Sequence, residues 1–239
     1  MNQAQAQVIV SAELKLFLRP GRRCGPVRVL LDGTSSLGHV VESLGVPLTE
    51  AGRLLVNGAP AAPGYRPGNG DVVDVEAVRR PQQLASARFV LDVHLGTLAR
   101  RLRLVGVDAA YANDAADDAL VEQANAERRV LLTQDRGLLH RRQLWLGAYV
   151  RGARPDEQLA DVLDRFAPPL APWTRCLACN GPLSPAAKAD VDPLLQPGTR
   201  RTYQAFSRCA NCTQVYWRGA HSKRLEQIID SAVRTVSTA

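Results

Sequence analysis

The sequence of 239 residues lacks any segment suited to a membrane. No apolar run reaches the length of about eighteen residues that a transmembrane helix needs. Residues 1–7 contain neither a basic region nor an apolar core of the kind that a secretory signal peptide has. These absences predict a soluble, cytoplasmic protein with no membrane partner.

Lysine is absent from residues 81–166. A receiver-like phosphoacceptor site needs a lysine at a strand end after its aspartates, so this absence argues against that function. The same region carries no net charge, whereas residues 167–239 carry nine basic and four acidic side chains out of a net +7 for the chain. A basic surface of this kind is typical of a nucleic-acid partner, although it also serves solubility.

Two short apolar runs each lead to an aspartate: residues 88–91 precede Asp92, and residues 130–133 lie just before Asp135. Such runs are typical of buried parallel strands, whose carboxyl edge is where α/β sheets bind ligands. Between them, at the start of a predicted helix, lies a third polar set: Asn113, Asp114, Asp117 and Asp118. Carboxylates that meet at one edge would bind a hard divalent cation, which favours phosphodiester chemistry.

The acids near residue 117 also have a simpler interpretation. Acidic side chains in the first turn of a helix commonly just complement the helix dipole, and one of the pair Asp117 and Asp118 fits that role. The apolar spacing of residues 95, 98, 102 and 105 predicts a helix with Arg100, Arg101 and Arg103 largely off its apolar face. Arg100 and Arg101 could hold a phosphate backbone, or they could form a solvated basic face, which is the commoner explanation.

Residues 1–80 predict a small unit made of two strands, a helix and two further strands. The predicted elements are strands at 8–18 and 27–31, a helix at 37–44, a hairpin near 54–58 and a closing strand at 70–76. This order looks like the ubiquitin-like sulfur-carrier fold. Because the chain continues through Arg79, it has no free C-terminal Gly-Gly, and an interaction module is the better interpretation.

Four of the five cysteines form two C-x-x-C pairs, Cys176 with Cys179 and Cys209 with Cys212. Two such knuckles can complete a closed tetrahedral zinc site, which stabilises a fold rather than catalysing a reaction. The intervening residues 180–208 exceed the usual spacing, which predicts a helical or proline-rich flap. Redox chemistry is the weaker interpretation, since a redox dithiol needs only one pair.

Aromatic and basic residues alternate after the second knuckle, at Tyr216, Trp217 and Arg218. They could stack on bases and hold phosphates, or the two aromatic rings could form the core of a small zinc-bound unit. The last helix is predicted to begin at His221. The sequence alone leaves both interpretations of the aromatic pair open.

The motifs taken together closely resemble the Mut-seven C-terminal RNase domain family, a branch of the PIN-like nucleases with an appended zinc ribbon. The resemblance rests on residues 88–108, 113–118 and 131–139 and on the two cysteine pairs. It implies an α/β fold with a PIN-like parallel sheet flanked by helices. The expected domains are a ubiquitin-like β-grasp domain at 1–80, a linker at 81–87, the nuclease domain at 88–168 and the zinc ribbon with a C-terminal helix at 169–239.

The resemblance also implies metal-dependent cleavage of RNA. Asp92, Asp118 and Asp135 match the family's acids and would hold Mg²⁺ or Mn²⁺, with Asp117 or Asp114 as helpers. Arg100 and Arg136 would steady the phosphate. Many PIN nucleases carry a further acid just beyond the third aspartate, where this chain has Arg136 and Gly137.

An alternative is a non-catalytic RNA-binding or ribosome-associated protein whose affinity comes from the zinc ribbon. The RNA class, whether tRNA, rRNA or mRNA, is open. A ribosome or protein partner for the N-terminal domain is a further expectation.

Overall fold

The computed structural model describes residues 3–219 and 222–238. The chain packs as two compact units: Met1–Arg79 with Asp135–Tyr149, and Arg80–Gln134 with Val150–Ala239. The predicted linear boundaries at 80, 88 and 168 stay predictions. In the described part of the chain, no helix combines the length and the apolar character needed to cross a membrane.

The structure contains the following strands and helices. The strands are β1 (Gln5–Val10), β2 (Val27–Leu30), β3 (Ala51–Val56), β4 (Ala59–Pro60), β5 (Val72–Ala77), β6 (Arg88–Leu91), β7 (Asp108–Tyr111), β8 (Val130–Thr133), β9 (Gly147–Tyr149), β10 (Leu183–Ala186), β11 (Phe206–Cys209) and β12 (Val215–Tyr216). The helices are α1 (Leu37–Ser43), α2 (Gly96–Leu104), α3 (Asp117–Ala126), α4 (Arg136–Leu139), α5 (Pro155–Phe166), α6 (Lys188–Val191), α7 (Pro197–Thr202) and α8 (Ser222–Thr238).

The first unit contains a five-stranded sheet in the order β2-β1-β5-β3-β4. β1 pairs antiparallel with β2 and parallel with β5, and α1 adds buried apolar side chains to the core. This topology confirms the ubiquitin-like fold. The predicted strand at 8–18 is wrong beyond Val10, because Ala12–Phe17 form a 3-10 helix that buries Leu14 and Phe17.

The segment 135–149 packs in this first unit. The sequence predicts a helix from Leu138 to Leu146, but this is wrong: α4 ends at Leu139, and the N–H of the following His140 bonds to the carbonyl of Gly137. Leu138 and Leu139 are buried. The short α4 is therefore fixed by tertiary packing rather than by its own length.

The second unit contains three parallel strands in the order β7-β6-β8. Phe89 to Leu91 and Val130 to Thr133 are buried, as expected for strands covered on both faces. α2 packs against β7, and α3 packs against β6 and β8. The predicted α/β class, a parallel sheet flanked by helices, is confirmed.

Residues in and just before the predicted linker contact α5, and within the linker Oε1 of Gln82 accepts a hydrogen bond of 3.1 Å from Nε of Arg165. The guanidinium of Arg80 donates to Asp161 at 2.7 Å and to Asp164 at 2.8 Å. α8 also packs against α5 and α2. The predicted start of this last helix, His221, lies outside the described residues.

The cysteine-rich part forms an antiparallel sheet in the order β10-β11-β12. The long insertion between the cysteine pairs contains α6 and α7, which confirms a helical flap. The small hydrophobic core of this cysteine-rich part consists of Val191, Leu195, Phe206 and Val215.

Candidate functional site

Asp92 lies directly after β6, at the carboxyl end of the parallel strands. Its side chain is buried, and Oδ2 accepts a hydrogen bond of 2.6 Å from Oγ1 of Thr133 at the end of the neighbouring β8. Its backbone N–H donates to the carbonyl of Leu132 at 3.0 Å. The sheet itself therefore fixes the position of this carboxylate.

Asp117 and Asp118 are the first two residues of α3. This helix follows β7 through an exposed loop that carries Asn113 and Asp114. All four of these side chains are exposed. The helix start supports the dipole interpretation as well as the cation interpretation, because both need acids at this position.

Asp135 follows Thr133 by two residues and belongs to the first compact unit. It is the N-cap of α4, and its Oδ1 accepts a hydrogen bond of 2.7 Å from the N–H of Gly137. Gly137 therefore has a local role, since its N–H holds the carboxylate of Asp135.

The acidic side chains offer oxygen ligands, which is the donor set that Mg²⁺ and Mn²⁺ prefer. Within residues 3–219 and 222–238, however, no three carboxylates or histidines bring ligand atoms within 4.8 Å of one another. Mg²⁺ commonly uses only one or two carboxylates and keeps several waters. The acids therefore match such a cation only in the chemistry of their donor atoms.

The four predicted cysteines come together. The ligand atoms of Cys176, Cys179, Cys209 and Cys212 all lie within 4.8 Å of one another. Sulfur-to-sulfur distances are 3.5 Å for Cys176 with Cys212 and 3.4 Å for Cys179 with Cys209. A tetrahedral zinc with Zn–S bonds of about 2.3 Å requires separations of about 3.8 Å, so the cluster fits this ion.

The two knuckles have the same backbone turn. The residues that follow the second cysteine of each pair, Asn180 and Thr213, have φ of +68° and +62°. Their N–H groups donate to the carbonyls of Cys176 and Cys209 at 3.0 and 3.1 Å. This repeated left-handed turn directs both sulfurs of each pair to the same side.

The thiols of the cluster differ in acidity. Burial alone would favour the neutral thiol of Cys176, but hydrogen bonds from the hydroxyl of Tyr216 and from nearby backbone N–H groups lower its pKa to about 6. Burial raises the pKa of Cys179 to about 12. A cluster with one favoured thiolate is prepared to receive a cation, whose charge would then favour ionisation of the others.

Arg103 joins the first knuckle to the parallel sheet, a role that its place in the sequence did not indicate. It is only 3% exposed, although helix periodicity placed it off the apolar face. Its Nε donates to the carbonyl of Ala109, and Nη1 donates to the carbonyls of Leu177 and Ala178 at 3.0 and 2.8 Å. Burial lowers the pKa of its guanidinium.

Asp108 forms a second connection between the same parts. Oδ1 accepts from Arg129 at 2.6 Å and from Asn180 at 2.7 Å, and Oδ2 lies 3.4 Å from Arg175. Although burial opposes ionisation, these donors hold the pKa of Asp108 below its ordinary value. The knuckle therefore docks on the sheet through a charged network.

A cleft of about 790 Å³ lies between the start of α2, the end of β7 and the first knuckle. Polar side chains line much of it, including His94, Arg100, Asn113, Gln214 and Tyr216. Arg100 is exposed, and its guanidinium makes no hydrogen bond or ion pair with the described residues. Val93, the residue directly after Asp92, also lines this cleft.

The other two arginines predicted to bind RNA already have protein partners. Arg101 pairs with Asp156 and lines a groove beside α5 and α8. Arg136 donates to the backbone carbonyls of Leu16 and Phe17. The RNA contacts predicted for Arg101 and Arg136 stay predictions. Arg100 differs from them because its guanidinium has no hydrogen-bond or ion-pair partner among the described residues and lines the larger cleft.

The aromatic and basic residues after the second knuckle have different surroundings. The hydroxyl of Tyr216 lies 3.1 Å from the sulfur of Cys176, so this side chain supports the cluster. Trp217 is 40% exposed, and the Arg218 guanidinium lies 5.3 Å from the ring centre of Trp173. A second cleft of about 410 Å³ is lined in part by Trp173, Tyr216, Trp217 and Arg218.

Comparisons with known proteins extend over nearly the whole chain. The sequence model of the Mut7-C RNAse domain matches residues 87–229, and that of the Mut7-C ubiquitin matches residues 3–83. The crystal structure of H. volcanii small archaeal modifier protein 1 is similar to this chain at 24% identity and a TM-score of 0.26, covering 32% of this chain and 99% of that chain. The search of curated proteins gave no match.

Proposed function

Because the chain belongs to the Mut7-C RNAse domain family, we propose that it hydrolyses RNA phosphodiester bonds with the help of Mg²⁺ or Mn²⁺. The observation that carries the proposal is the family match across residues 87–229 together with Asp92 at the carboxyl end of β6. Asp92, Asp118 and Asp135 are the proposed ligands, and Asp117 is a helper.

A divalent cation bound by these acids would activate a water and neutralise charge on the phosphate. The chain's own contribution is orientation. Thr133 holds one oxygen of Asp92, and the N–H of Gly137 holds one oxygen of Asp135. Such second-sphere bonds keep a ligand in one geometry and commonly matter by about 10–100-fold in affinity or activity.

RNA binding is proposed for the two clefts of the second unit. Arg100 would contact a phosphate in the larger cleft, and the exposed Trp217 and Arg218 would stack on or pair with nucleotides in the smaller one. Tyr216 would contribute through its ring, since its hydroxyl already contacts Cys176. The proposed Zn²⁺ on the four cysteines would hold the wall that both clefts share.

The test is cleavage of end-labelled RNA with and without Mn²⁺. Wild-type protein should cleave only with the cation, and Asp92→Asn and Asp135→Asn should each lose at least about 100-fold in kcat/KM. Asp190→Asn is the matched control, because Asp190 is an exposed acid of the flap. Equal cleavage by all four proteins would show that any activity comes from another site or a contaminant.

The second candidate is a non-catalytic RNA-binding or ribosome-associated protein. It is favoured by the absence of a compact carboxylate cluster among the described residues, by the arginines of the larger cleft and by the aromatic side chains beside Arg218 in the smaller one. In that case, RNA binding would fall steeply with salt and survive both acid substitutions, while no cleavage would appear with Mn²⁺.

A further inference from the structure

The segment that begins at Asp135 is attached to the N-terminal ubiquitin-like domain along its whole length. Residues 135–149 pack in one compact unit with residues 1–79. Tyr149, at the end of the segment, packs against the core of that domain, and its ring meets Phe17 edge-on at 5.3 Å between centroids. The domain thus contacts the far end of the segment directly.

Arg136, the residue next to Asp135, is held at the near end. Nη2 donates to the carbonyl of Leu16 at 2.8 Å, Nη1 reaches the carbonyl of Phe17, and the guanidinium lies 5.5 Å from the ring centre of Phe17. Carbonyls at the end of a helical turn lack partners within that turn, so an arginine is a suitable donor for them.

Glu50 provides the second attachment. It is 1% exposed, and its Oε1 accepts a hydrogen bond of 2.8 Å from the N–H of Tyr149. A buried carboxylate is costly unless donors surround it, and this donor lies 99 residues further along the chain. The ubiquitin-like domain therefore carries a buried acid that the segment 135–149 helps to satisfy.

We propose that the ubiquitin-like domain is a positioning element for the catalytic acid Asp135, with Arg136 and Glu50 as its positioning residues. This inference rests on the proposed function, in which Asp135 is a cation ligand. The two attachments bracket the segment, so the backbone that carries Asp135 is set by the N-terminal domain. A domain expected to recruit partners thereby becomes part of the catalytic apparatus.

The experiment compares Arg136→Ala and Glu50→Gln with matched controls in the full chain. Arg142→Ala and Glu76→Gln are the controls, because Arg142 lies in the same segment and Glu76 is a half-buried acid of the same domain whose carboxylate pairs with Arg53. For each protein, kcat and KM are measured, together with Mn²⁺ affinity by electron paramagnetic resonance and RNA affinity without divalent cations. Thermal unfolding identifies any variant that has lost its fold.

We expect both test variants to lose about tenfold or more in kcat and in Mn²⁺ affinity, with RNA affinity and KM unchanged. Arg136→Lys should recover part of the loss, since lysine can still donate to a carbonyl. It also serves as the test if Arg136→Ala does not fold.

Two results would overturn the inference. If the test variants match their controls while Asp135→Asn is inactive, the proposed function stands and the positioning role fails. If Arg136→Ala weakens RNA binding without divalent cations and leaves Mn²⁺ affinity unchanged, Arg136 contacts RNA directly. By contrast, full activity of Asp135→Asn and Asp92→Asn would reject the proposed function itself.

Discussion

The cysteine cluster and the acidic residues of the second unit differ in how closely the protein alone brings their possible metal ligands together. Four sulfurs lie within 4.8 Å of one another, whereas Asp92 is fixed by the sheet and Asp117 and Asp118 stay exposed at a helix start. A closed set of four ligands leaves no position for substrate, while an open oxygen set leaves room for water and phosphate. Of the two proposed metal sites, the cysteine cluster is therefore the one whose ligands already lie together.

Removing the metal from the cysteine cluster should have the largest effect. We expect about one zinc ion per chain by elemental analysis, and apparent binding free energies of structural zinc reach about 10–16 kcal/mol in small domains. Cys176→Ser, or a strong chelator, should abolish hydrogen-exchange protection between residues 174 and 216. Cys24→Ser is the control, since Cys24 is exposed and far from the other four in sequence. Retained protection without metal would show that the flap core alone maintains the ribbon.

Asp108→Asn should remove the support of the cluster without touching a sulfur. Breaking a buried charged network by removing one partner costs about 3 kcal/mol or more, and here Arg129 and Arg175 would lose their carboxylate. The pKa of Asp108 is lowered in the folded state, so its stabilisation is present above the unfolded pKa of about 3.9 and is lost as pH falls through the folded value.

Urea unfolding at several pH values checks this expectation. The difference in stability between wild type and Asp108→Asn should be full at pH 7 and should shrink below about pH 4. A difference that stays constant down to pH 2 would mean that the variant acts by packing rather than by charge.

Thr133→Val tests how far the sheet orients Asp92 before cation and substrate bind. Valine keeps the shape of threonine but cannot donate to Asp92, so kcat should fall by about tenfold or more. Steady-state cleavage with saturating Mn²⁺ measures the effect, and circular dichroism checks the fold. Unchanged kcat would mean that bound cation and substrate orient Asp92 without help from the sheet.

The smallest effect is expected for single phosphate contacts. Arg100→Ala should weaken RNA binding a few-fold and reduce the slope of log affinity against log salt by about 0.7, the value for one contact to a single strand. Arg101→Ala is the matched control on the same helix, because its guanidinium pairs with Asp156. Fluorescence anisotropy without divalent cations compares them, and equal losses would mean that the helix binds RNA through its general charge.

The cysteine site was predictable because its information is local. Two residues separate the cysteines of each pair, and each knuckle is closed by its own backbone turn at Asn180 or Thr213. The strands before Asp92 and Asp135 were predictable for a similar reason, since a continuous apolar run requires burial on both faces. Spacing and burial both operate over a few residues.

Arg103 shows what such local patterns miss. Its position on α2 indicated solvent, yet carbonyls of the first knuckle, more than seventy residues away, cover it. The prediction of a helix up to Leu146 was wrong for the same reason. Packing in the ubiquitin-like domain, and not helix propensity, determines the conformation of the segment after Asp135. Contacts over long sequence separations left no periodic signal.

Gly106 has a consequence for dividing this protein into pieces. It has φ of +86°, and a side chain there would collide with the backbone, since a Cβ would lie 2.0 Å from the carbonyl oxygen of Ala171. Just before it in the sequence, the carbonyls of Leu104 and Val105 accept hydrogen bonds from the N–H groups of Trp173 and Ala171. Residues 171–173, which lead into the ribbon, are thus hydrogen-bonded to the C-terminal end of α2. A fragment cut at residue 168 would remove the donors for those carbonyls, so we expect the RNase domain to be less stable when it is expressed without the ribbon.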